Sequence, residues 1–292
     1  MWGFMNNNTL RFLFFIFIFL FIESYHIYSQ NEEIKFHYYG VEHGLPESSV
    51  NSVIQDRKGF LWIGTMRGLC RFDGYNFRSM ITNSNEKVNN IFIDKSNILW
   101  IGTENGLIKY DEKHNKIRRY FADISKEDSI YSNSVLKFLE DEYGNLWILT
   151  DKGINIYNNE KDNFYRIKIN TYYIGKLLKA FYIDTKGNIW IGSDGGGVSV
   201  IKYENIKKFS TTKNIEDIKI FNYKENVKGT TLISNDISSI IDYDNYLFFG
   251  TINNGLMYVN RDEMISLISD KNKKIKINFI KANYKSKEGL NT

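Results

Sequence analysis

The sequence has few of the residues that build disulfides, metal sites or nucleophilic centres. It contains one cysteine, Cys70, and four histidines, His26, His37, His43 and His114. A single cysteine cannot form an internal disulfide, and Cys70 has apolar neighbours and no histidine close by in sequence, so we expect a buried structural thiol. The histidines show no metal-ligand spacing such as His-x-x-x-His, and no metal site is predicted.

Several sequence motifs of catalysis and of nucleic-acid binding are also missing. No Gly-x-Ser-x-Gly, P-loop or dinucleotide-binding fingerprint occurs, so we predict no catalytic residues and no cofactor. The net charge is +4, and the lysines are spread along the chain with only a mild cluster at Lys271–Lys276. Dispersed lysines on an exported chain argue against a nucleic-acid partner.

Long apolar runs are absent apart from one near the N-terminus. Phe12–Ile22 is an uninterrupted run of 11 apolar residues that follows Arg11. This is too short for a bilayer core, which needs about 20 residues, but it fits a secretory signal. We therefore predict a signal peptide over residues 1–29, cleavage before Gln30 and a periplasmic or cell-envelope location. An uncleaved anchor is the alternative.

A recurring unit organises the remaining residues, 30–292. The segment Asp56–Asp73 reads DRKGFLWIGTMRGLCRFD, and related segments occupy residues 94–111, 141–157, 184–198 and 242–258. One aromatic position keeps their register: Trp62, Trp100, Trp147, Trp190 and Phe248. The spacings are 38, 47, 43 and 58 residues. A period of about 40–50 residues with a fixed aromatic predicts an all-β propeller.

Each unit has the pattern of one four-stranded antiparallel blade. A short apolar run ending in Asp predicts an inner strand, and Asp-x-x-Gly or Asp-x-x-Asn predicts a tight turn. Leu-Trp-Ile-Gly-Thr predicts a second strand, and a Gly-containing turn such as Asn105-Gly106 leads to the third. Looser fourth strands complete the five cores, near residues 50–80, 88–121, 133–169, 178–223 and 235–284. No copy shows helical periodicity.

Residues 44–77 resemble the two-component regulator propeller repeat, from Gly44-Leu45-Pro46 to Phe77. Later copies depart from this pattern at Leu149, Ser193 and Phe248. The resemblance implies a periplasmic sensor of a hybrid two-component system that responds to oligosaccharides. It also implies that binding shifts the packing of propellers in a dimer and so biases a kinase, although no kinase segment is expected in this chain.

The two ends of the repeat region suggest an incomplete ring. Propellers of this family usually have seven blades, whereas five repeats are recognised here. Lys35–Tyr39 reads like an outer strand without its blade, and Gly289-Leu290 resembles the opening of a further repeat. We expect an open array from a truncated or split reading frame; a closed five-blade ring is the alternative.

The expected ligand-binding surface lies where the turns between second and third strands meet the loops that precede the inner strands. Polar and aromatic side chains there suit an oligosaccharide. The candidate binding residues are Arg67, Glu104, Asn105, Asp151, Tyr172, Tyr173, Asp194 and Asn253. The repeated aspartates are expected to hold their own hairpins, and the tryptophans to pack between blades.

The sequence therefore favours a non-catalytic ligand sensor of a signal-transduction system. Its predicted partners are an oligosaccharide and a second propeller, in a homodimer or with another chain. One alternative is a secreted scaffold for protein–protein interaction. The other is a polysaccharide lyase or glycosidase, for which Asp151 and Asp194 are the candidate carboxylates.

Overall fold

The structure is a computed structural model, and it describes residues 36–80, 86–167, 177–223, 232, 234–269 and 275–280. Residues 1–38 form one unit, and residues 39–292, which contain the sheets, form another. The predicted signal peptide and Gly289-Leu290 lie outside the described residues. The prediction of an outer strand at Lys35–Tyr39 is wrong for its described part, because Phe36–Tyr39 adopts no regular structure.

The second unit contains five sheets, each of four antiparallel strands in sequence order. Blade 1 comprises β1 (Val50–Gln55), β2 (Leu61–Thr65), β3 (Gly68–Phe72) and β4 (Phe77–Met80). Blade 2 comprises β5 (Val88–Ile93), β6 (Leu99–Thr103), β7 (Gly106–Asp111) and β8 (Lys116–Tyr120). Blade 3 comprises β9 (Val135–Glu140), β10 (Leu146–Thr150), β11 (Ile154–Asn158) and β12 (Asn163–Ile167). Blade 4 comprises β13 (Leu177–Ile183), β14 (Ile189–Asp194), β15 (Gly197–Ile201) and β16 (Ile220–Tyr223). Blade 5 comprises β17 (Ile237–Tyr243), β18 (Tyr246–Thr251), β19 (Leu256–Asn260) and β20 (Asn278–Ile280).

Two α-helices correct the expectation that no copy is helical. Helix α1 (Tyr203–Thr212) connects β15 to β16, and helix α2 (Arg261–Ser266) follows β19 directly. In α1, Ile206 and Phe209 are buried against the core of blades 3 and 4. Residues three apart share one face of a helix, so even this mostly polar segment can bury an apolar stripe. A short 3₁₀ helix at Val41–His43 precedes blade 1, and another at Ile215–Asp217 follows α1.

The first hairpin of blades 1 to 4 is held by the aspartate that the repeat places before it. In blade 1, one Asp56 oxygen accepts hydrogen bonds from the backbone N–H groups of Lys58 and Phe60, at 2.9 and 3.0 Å. The other oxygen accepts the indole N–H of Trp62 at 2.9 Å. Asp94, Asp141 and Asp184 bind Trp100, Trp147 and Trp190 in the same way, at 2.8–2.9 Å. The predicted structural role of these aspartates is confirmed, and it extends to fixing the tryptophan ring.

Each tryptophan lies on the face of its blade that packs against the next blade. Trp62 shares a core cluster with Val88 and Ile91 of β5. The other three rings are likewise buried, with Trp190 in the core between blades 4 and 5. Inter-blade packing, as predicted for the tryptophans, is confirmed. An indole buries a large apolar area and dominates an interface of this size.

In blades 1, 2 and 4, the glycine after the Trp-Ile pair lets the next inner strand approach closely. A Cβ on Gly64 would lie 2.6 Å from Val88 Cγ1, and one on Gly102 would lie 2.8 Å from Val135 Cγ1. Blade 3 has Leu149 instead, and this side chain is buried with Leu178 and Phe181 of blade 4. Between blades 3 and 4, the Leu149 side chain therefore fills the space that is closed at the other interfaces by the approach of the next inner strand to a glycine.

The blades form an array that stays open. The inner strands β1, β5, β9, β13 and β17 contact one another in that order, but among the described residues β1 and β17 make no comparable contact. The expectation of a buried inner strand fails for β1, in which Val50 and Val53 are exposed. Among the described residues, no blade packs on β1 at that position.

Candidate functional site at the turn rim

The candidate site lies on one edge of the blades, which we call the turn rim: the turns between second and third strands with the loops that precede the inner strands. In blades 1, 2, 3 and 5 the turn is closed by the threonine that ends the second strand, and Ser193 has this position in blade 4. Thr103 Oγ1 donates to Gly106 O at 2.9 Å and accepts the backbone N–H of Asn105 at 2.9 Å. Gly106 has φ +121°, a conformation that favours glycine. The turn is thus rigid, while the side chains at its tip are free to vary.

The turns and the inner-strand loops are joined by backbone hydrogen bonds. Within a blade, Glu104 N donates to Lys87 O at 3.2 Å and Asp151 N donates to Ser134 O at 3.1 Å. These bonds confirm that the two sets of residues share one edge. A ligand resting on a turn would therefore also meet the adjacent loop.

Other hydrogen bonds join the turn of one blade to the loop of the next. Gly106 N in blade 2 donates to Asn133 O ahead of blade 3, at 2.8 Å. Gly197 N in blade 4 donates to Asn235 O ahead of blade 5, at 2.9 Å. Because the turn rim crosses blade boundaries in this way, its geometry depends on how adjacent blades pack.

Three predicted residues occupy the turns of blades 1 and 2, and all three are exposed. Arg67 forms an ion pair with Glu47, with 3.5 Å between nitrogen and oxygen. Glu104 forms one with Lys87, at 2.5 Å. Asn105 uses its backbone N–H in the turn and leaves its side chain toward solvent. Exposed pairs of this kind contribute little stability, so Arg67 and Glu104 can exchange partners at little cost.

Asp194 is the predicted residue whose carboxylate interacts most with neighbouring charged side chains. Lys179 Nζ lies 3.1 Å from its carboxylate, and Asp236 lies beside it. The hydrogen bond from Lys179 lowers the pKa of Asp194, and Asp236 contributes in the same direction. Asp236 is itself held by the backbone N–H of Gly195, at 2.8 Å. The turn of blade 4 and the loop before β17 thus present two carboxylates beside the ammonium of Lys179 on β13.

Blade 3 contains an acceptor and a donor that lack partners within the described part of the chain. Asp151 Oδ1 is buried without a hydrogen bond. Lys137, on β9, is half-buried, and burial lowers the pKa of its ammonium; no hydrogen bond or ion pair to the described residues satisfies it. Lys137 pairs with Leu149, two residues before Asp151, so both groups belong to the same end of the sheet.

Lys137 was not among the predicted binding residues. Four other side chains occupy its position in the remaining blades: Ser52, Asn90, Ala180 and Ser239. The repeat alignment could have identified the one charged side chain in this column.

The three remaining predicted residues are Asn253, Tyr172 and Tyr173. Asn253 is exposed in the turn of blade 5. Tyr172 and Tyr173 lie outside the described residues. Among the described candidates, no hydrogen bond or ion pair joins residues of different blades directly to one another. They share an edge but do not converge on a single cluster.

The described residues were also compared with the predictions for the cysteine, for metal sites and for membrane spans. Cys70 is fully buried, as predicted, and burial raises the pKa of its thiol to about 11. Within the described ranges, no group of three or more His, Cys, Asp and Glu side chains has an arrangement that could hold a metal ion. None of the helices in that part of the chain has both the length and the apolar character of a membrane span.

The radial four-stranded sheets, the buried tryptophans and the sequential packing define the chain as a β-propeller array. Residues 44–67 and 83–105 match the two-component regulator propeller family. The chain thus carries repeats of that family, as the sequence resemblance predicted. No curated protein matches the chain in sequence.

Solved structures share the fold at low sequence identity. An extracellular domain of a hybrid two-component system from B. thetaiotaomicron has 21% identity and a TM-score of 0.53, covering 85% of this chain and 36% of that chain. Virginiamycin B lyase from Staphylococcus aureus has 12% identity and a TM-score of 0.54, covering 82% of this chain and 71% of that chain. PorZ, a type-IX secretion component of Porphyromonas gingivalis, has 17% identity and a TM-score of 0.54, covering 77% and 33%.

The chain thus spans about a third of the length of the two-component relative. At these identities the similarity establishes the fold, and the fold hosts both sensors and enzymes.

Proposed function

We propose that this chain is an exported ligand-sensing propeller of a two-component signal-transduction system, and that it catalyses no reaction itself. The observation that carries the proposal is the turn rim of regulator propeller repeats, where the described residues supply no partner for Asp151 Oδ1 or for the half-buried Lys137 ammonium in blade 3. The extracellular location of the two-component relative is consistent with export of this chain by its N-terminal segment.

The chemistry of the turn rim favours an oligosaccharide as ligand. A sugar hydroxyl both donates and accepts hydrogen bonds, so sugar hydroxyls can supply a donor to the Asp151 carboxylate and an acceptor to the Lys137 ammonium. Leaving a buried polar atom unpaired costs about 1–3 kcal/mol, which a ligand recovers when it supplies the partner. Ion pairs such as Lys179–Asp194 offer further donors and acceptors in the adjacent blade.

The proposed signalling mechanism uses the hydrogen bonds that join the turn of one blade to the loop before the next blade. A ligand that contacts the turn of one blade and the loop of the next binds best to one packing of the two blades. Such a ligand shifts the equilibrium by its difference in affinity for the two packings. In this proposal the shift is passed to a partner propeller and from there to a kinase.

A binding experiment on the purified chain tests the proposal. We expect a panel of oligosaccharides to include a ligand detected by titration calorimetry, and we expect Lys137→Met or Asp151→Asn to weaken its binding about tenfold or more, the equivalent of about 1.4 kcal/mol. Lys116→Met is the matched control, because Lys116 is exposed on the outer strand β8. Equal affinity of all three variants for the ligand would place the site elsewhere.

The non-catalytic part of the proposal has its own test. Asp151 and Asp194 lie in different blades, and Asp194 is already paired with Lys179. We therefore expect no turnover when the purified chain is incubated with the oligosaccharides that it binds. Turnover that is abolished by Asp151→Ala or Asp194→Ala would overturn this part.

A further inference from the structure

A small cavity lined by two tyrosine rings lies between blades 3 and 4, at the edge opposite the turn rim. It is bounded by the turns that join the first and second strands of these blades and by the start of helix α1, and its volume is about 180 Å³. Tyr143 of the blade 3 turn and Tyr203 of α1 both line it, with Ile183 and Ile206 beside them. Drug-sized ligands occupy about 300 Å³ or more, so this cavity suits a smaller molecule.

The two tyrosines are held in place by the chain itself. Their ring centroids lie 6.2 Å apart at an interplanar angle of 21°. Tyr203 Oη donates to Glu142 Oε1 at 2.7 Å, and the two tyrosine hydroxyls lie 2.6 Å apart. The Tyr203 ring also lies against the blade 4 turn, where a Cβ on Gly187 would come within 2.8 Å of Tyr203 Cδ2. The cavity is therefore bounded by rings whose orientation is already set.

The cavity walls carry three carboxylates and no basic side chain: Asp141, Glu142 and Asp184. Asp141 and Asp184 are only 2% and 5% exposed, and among the described residues neither carboxylate forms an ion pair. Lys95 reaches only the backbone carbonyl of Asp141, at 2.6 Å. The charges of Lys95 and Lys207 act on Glu142, but neither lysine lines the cavity. A buried charge without a counter-ion is costly, so a cation in the cavity would stabilise both buried carboxylates.

At the two preceding blade boundaries the chain supplies a cation of its own. Arg71 of blade 1 pairs with Glu112 of blade 2 at 3.2 Å. Lys109 of blade 2 lies 4.7 Å from the ring centroid of Tyr157 in blade 3. No ion pair joins blades 3 and 4 in the described part of the chain. Lys213 approaches this boundary, but it donates to a neutral asparagine of blade 3 and does not line the cavity. The position of a boundary cation is thus left to a ligand.

The hydrogen bonds of the buried carboxylates restrict which cation fits. The two oxygens of Asp141 accept four hydrogen bonds, from two backbone N–H groups, the Asn145 amide and the indole of Trp147, at 2.7–3.0 Å. Asp184 accepts from the same kinds of donor in blade 4. A carboxylate has about four acceptor sites, so these two groups offer charge but no site for a further N–H donor. A quaternary ammonium has no N–H, and it binds through charge and contact with aromatic rings.

We propose that this cavity binds a small quaternary ammonium ion, with its methyl groups against Tyr143 and Tyr203 and its charge facing the three carboxylates. Ile183 and Ile206 provide apolar contacts for the rest of the molecule. A metal ion fits less well, because no group of three or more His, Cys, Asp and Glu side chains among the described residues is arranged to hold one. The cavity lies at the other edge of the blades from the turn rim, so this proposal does not depend on the oligosaccharide.

Titration of the purified chain with choline tests the charge requirement. We expect choline to bind with heats that fit one site per chain. Its neutral isostere, in which carbon replaces the quaternary nitrogen, has the same shape without the charge and should bind at least about tenfold more weakly. Ethanolamine, a primary ammonium of the same chain length, should also bind more weakly than choline, because its N–H groups find no free acceptor on the buried carboxylates.

Variants of the tyrosine cavity test the location of the site. Tyr143→Leu removes one ring and should weaken choline binding about fivefold or more, whereas Tyr143→Phe keeps the ring and should bind nearly as well as the unmodified chain. Tyr75→Leu is the matched control, because Tyr75 is a 90% exposed aromatic in the turn between β3 and β4. Glu142→Gln, at an exposed position, should also weaken binding and replaces Tyr143→Leu if that variant melts early.

Four outcomes would overturn the proposal. They are no binding of choline at millimolar concentration, equal affinity for the neutral isostere, binding of ethanolamine as tight as that of choline, and unchanged choline binding by the folded cavity variants. Each of them leaves the oligosaccharide proposal for the turn rim standing, since the variants of Lys137 and Asp151 test that site separately.

Discussion

At the scale of single residues, the aspartate–tryptophan pair does most to specify a blade. Asp141 accepts hydrogen bonds from the backbone N–H groups of Tyr143 and Asn145, at 3.0 and 2.9 Å, and from the indole of Trp147 at 2.9 Å. One carboxylate therefore connects a turn to the core of the next interface. This explains why the same two residue types recur six positions apart in four blades.

A double-mutant cycle tests this coupling. Asp141→Ala leaves the buried indole N–H of Trp147 unpaired and frees two backbone donors, so we expect it to lower the free energy of unfolding by about 2–4 kcal/mol. In a Trp147→Phe background the indole donor is already gone, and the further loss should be smaller by about 1–2 kcal/mol. Urea unfolding of the four proteins measures both values. Equal losses in the two backgrounds would contradict a direct coupling.

In blade 5, a buried ion pair between Asp242 and Arg261 takes the place of the aspartate–tryptophan pair. The Asp242 carboxylate accepts from Arg261 at 2.6 Å, and both side chains are at least 95% buried. Asp242 also accepts the hydroxyl hydrogens of Tyr182 and Thr185 in blade 4, at 2.6 Å each. Burial alone would raise the pKa of Asp242, but the hydrogen bonds from Thr185 and Tyr182 and the charge of Arg261 lower it.

The lowered pKa of Asp242 gives a testable pH dependence. A carboxylate with a lowered folded-state pKa stabilises the fold above its ordinary value of about 4, and this contribution is lost as the pH falls through the folded-state value. Asp242→Asn should therefore destabilise the chain at pH 7, by about 3–5 kcal/mol because it leaves Arg261 buried without its partner. Thermal melts should show this deficit shrinking below about pH 4. A deficit that is constant from pH 7 to pH 3 would contradict the account.

At the scale of the strand, the glycine of the second strand decides how closely blades approach. Gly102 faces Val135 of the next blade, whereas Gly250 faces only its own Ser239. We expect Gly102→Ala to cost about 1–3 kcal/mol through overpacking. Gly250→Ala is the matched control and should cost less, because a serine hydroxyl can rotate away. Chemical denaturation of both variants provides the comparison, and a larger loss for Gly250→Ala would contradict the assigned role.

The sequence was informative about strands and their turns because each repeat offers an independent copy of the same pattern. Trp62, Trp100 and their counterparts could be assigned to the core from register alone. Helix α1 was missed because its segment is mostly polar and its buried stripe consists of only Ile206 and Phe209, although α2 follows the third strand of blade 5 at the corresponding position. The charge of Lys137 is visible in the sequence as the exception at its position in the repeats, but its half-burial and its lack of a partner among the described residues are visible only in the structure.

At the scale of the whole array, the exposure of the end blades distinguishes this chain from a closed ring. Sequence reasoning anticipated an open array from the number of repeats. It did not anticipate the exposure of Val53 on blade 1 and Ile241 on blade 5, because a repeat pattern does not show how each copy packs on its neighbours. The open array keeps these two blades separate.

The most direct test of that separation is a distance between blades 1 and 5 in solution. Spin labels on Val53→Cys and Ile241→Cys would report it, since buried Cys70, with its pKa raised to about 11, should not react. Excess unlabelled protein removes contributions from assembled copies. The account predicts a label separation well beyond the about 10 Å that separates packed sheets. A distance close to that spacing would mean that the ring is closed and would contradict the account.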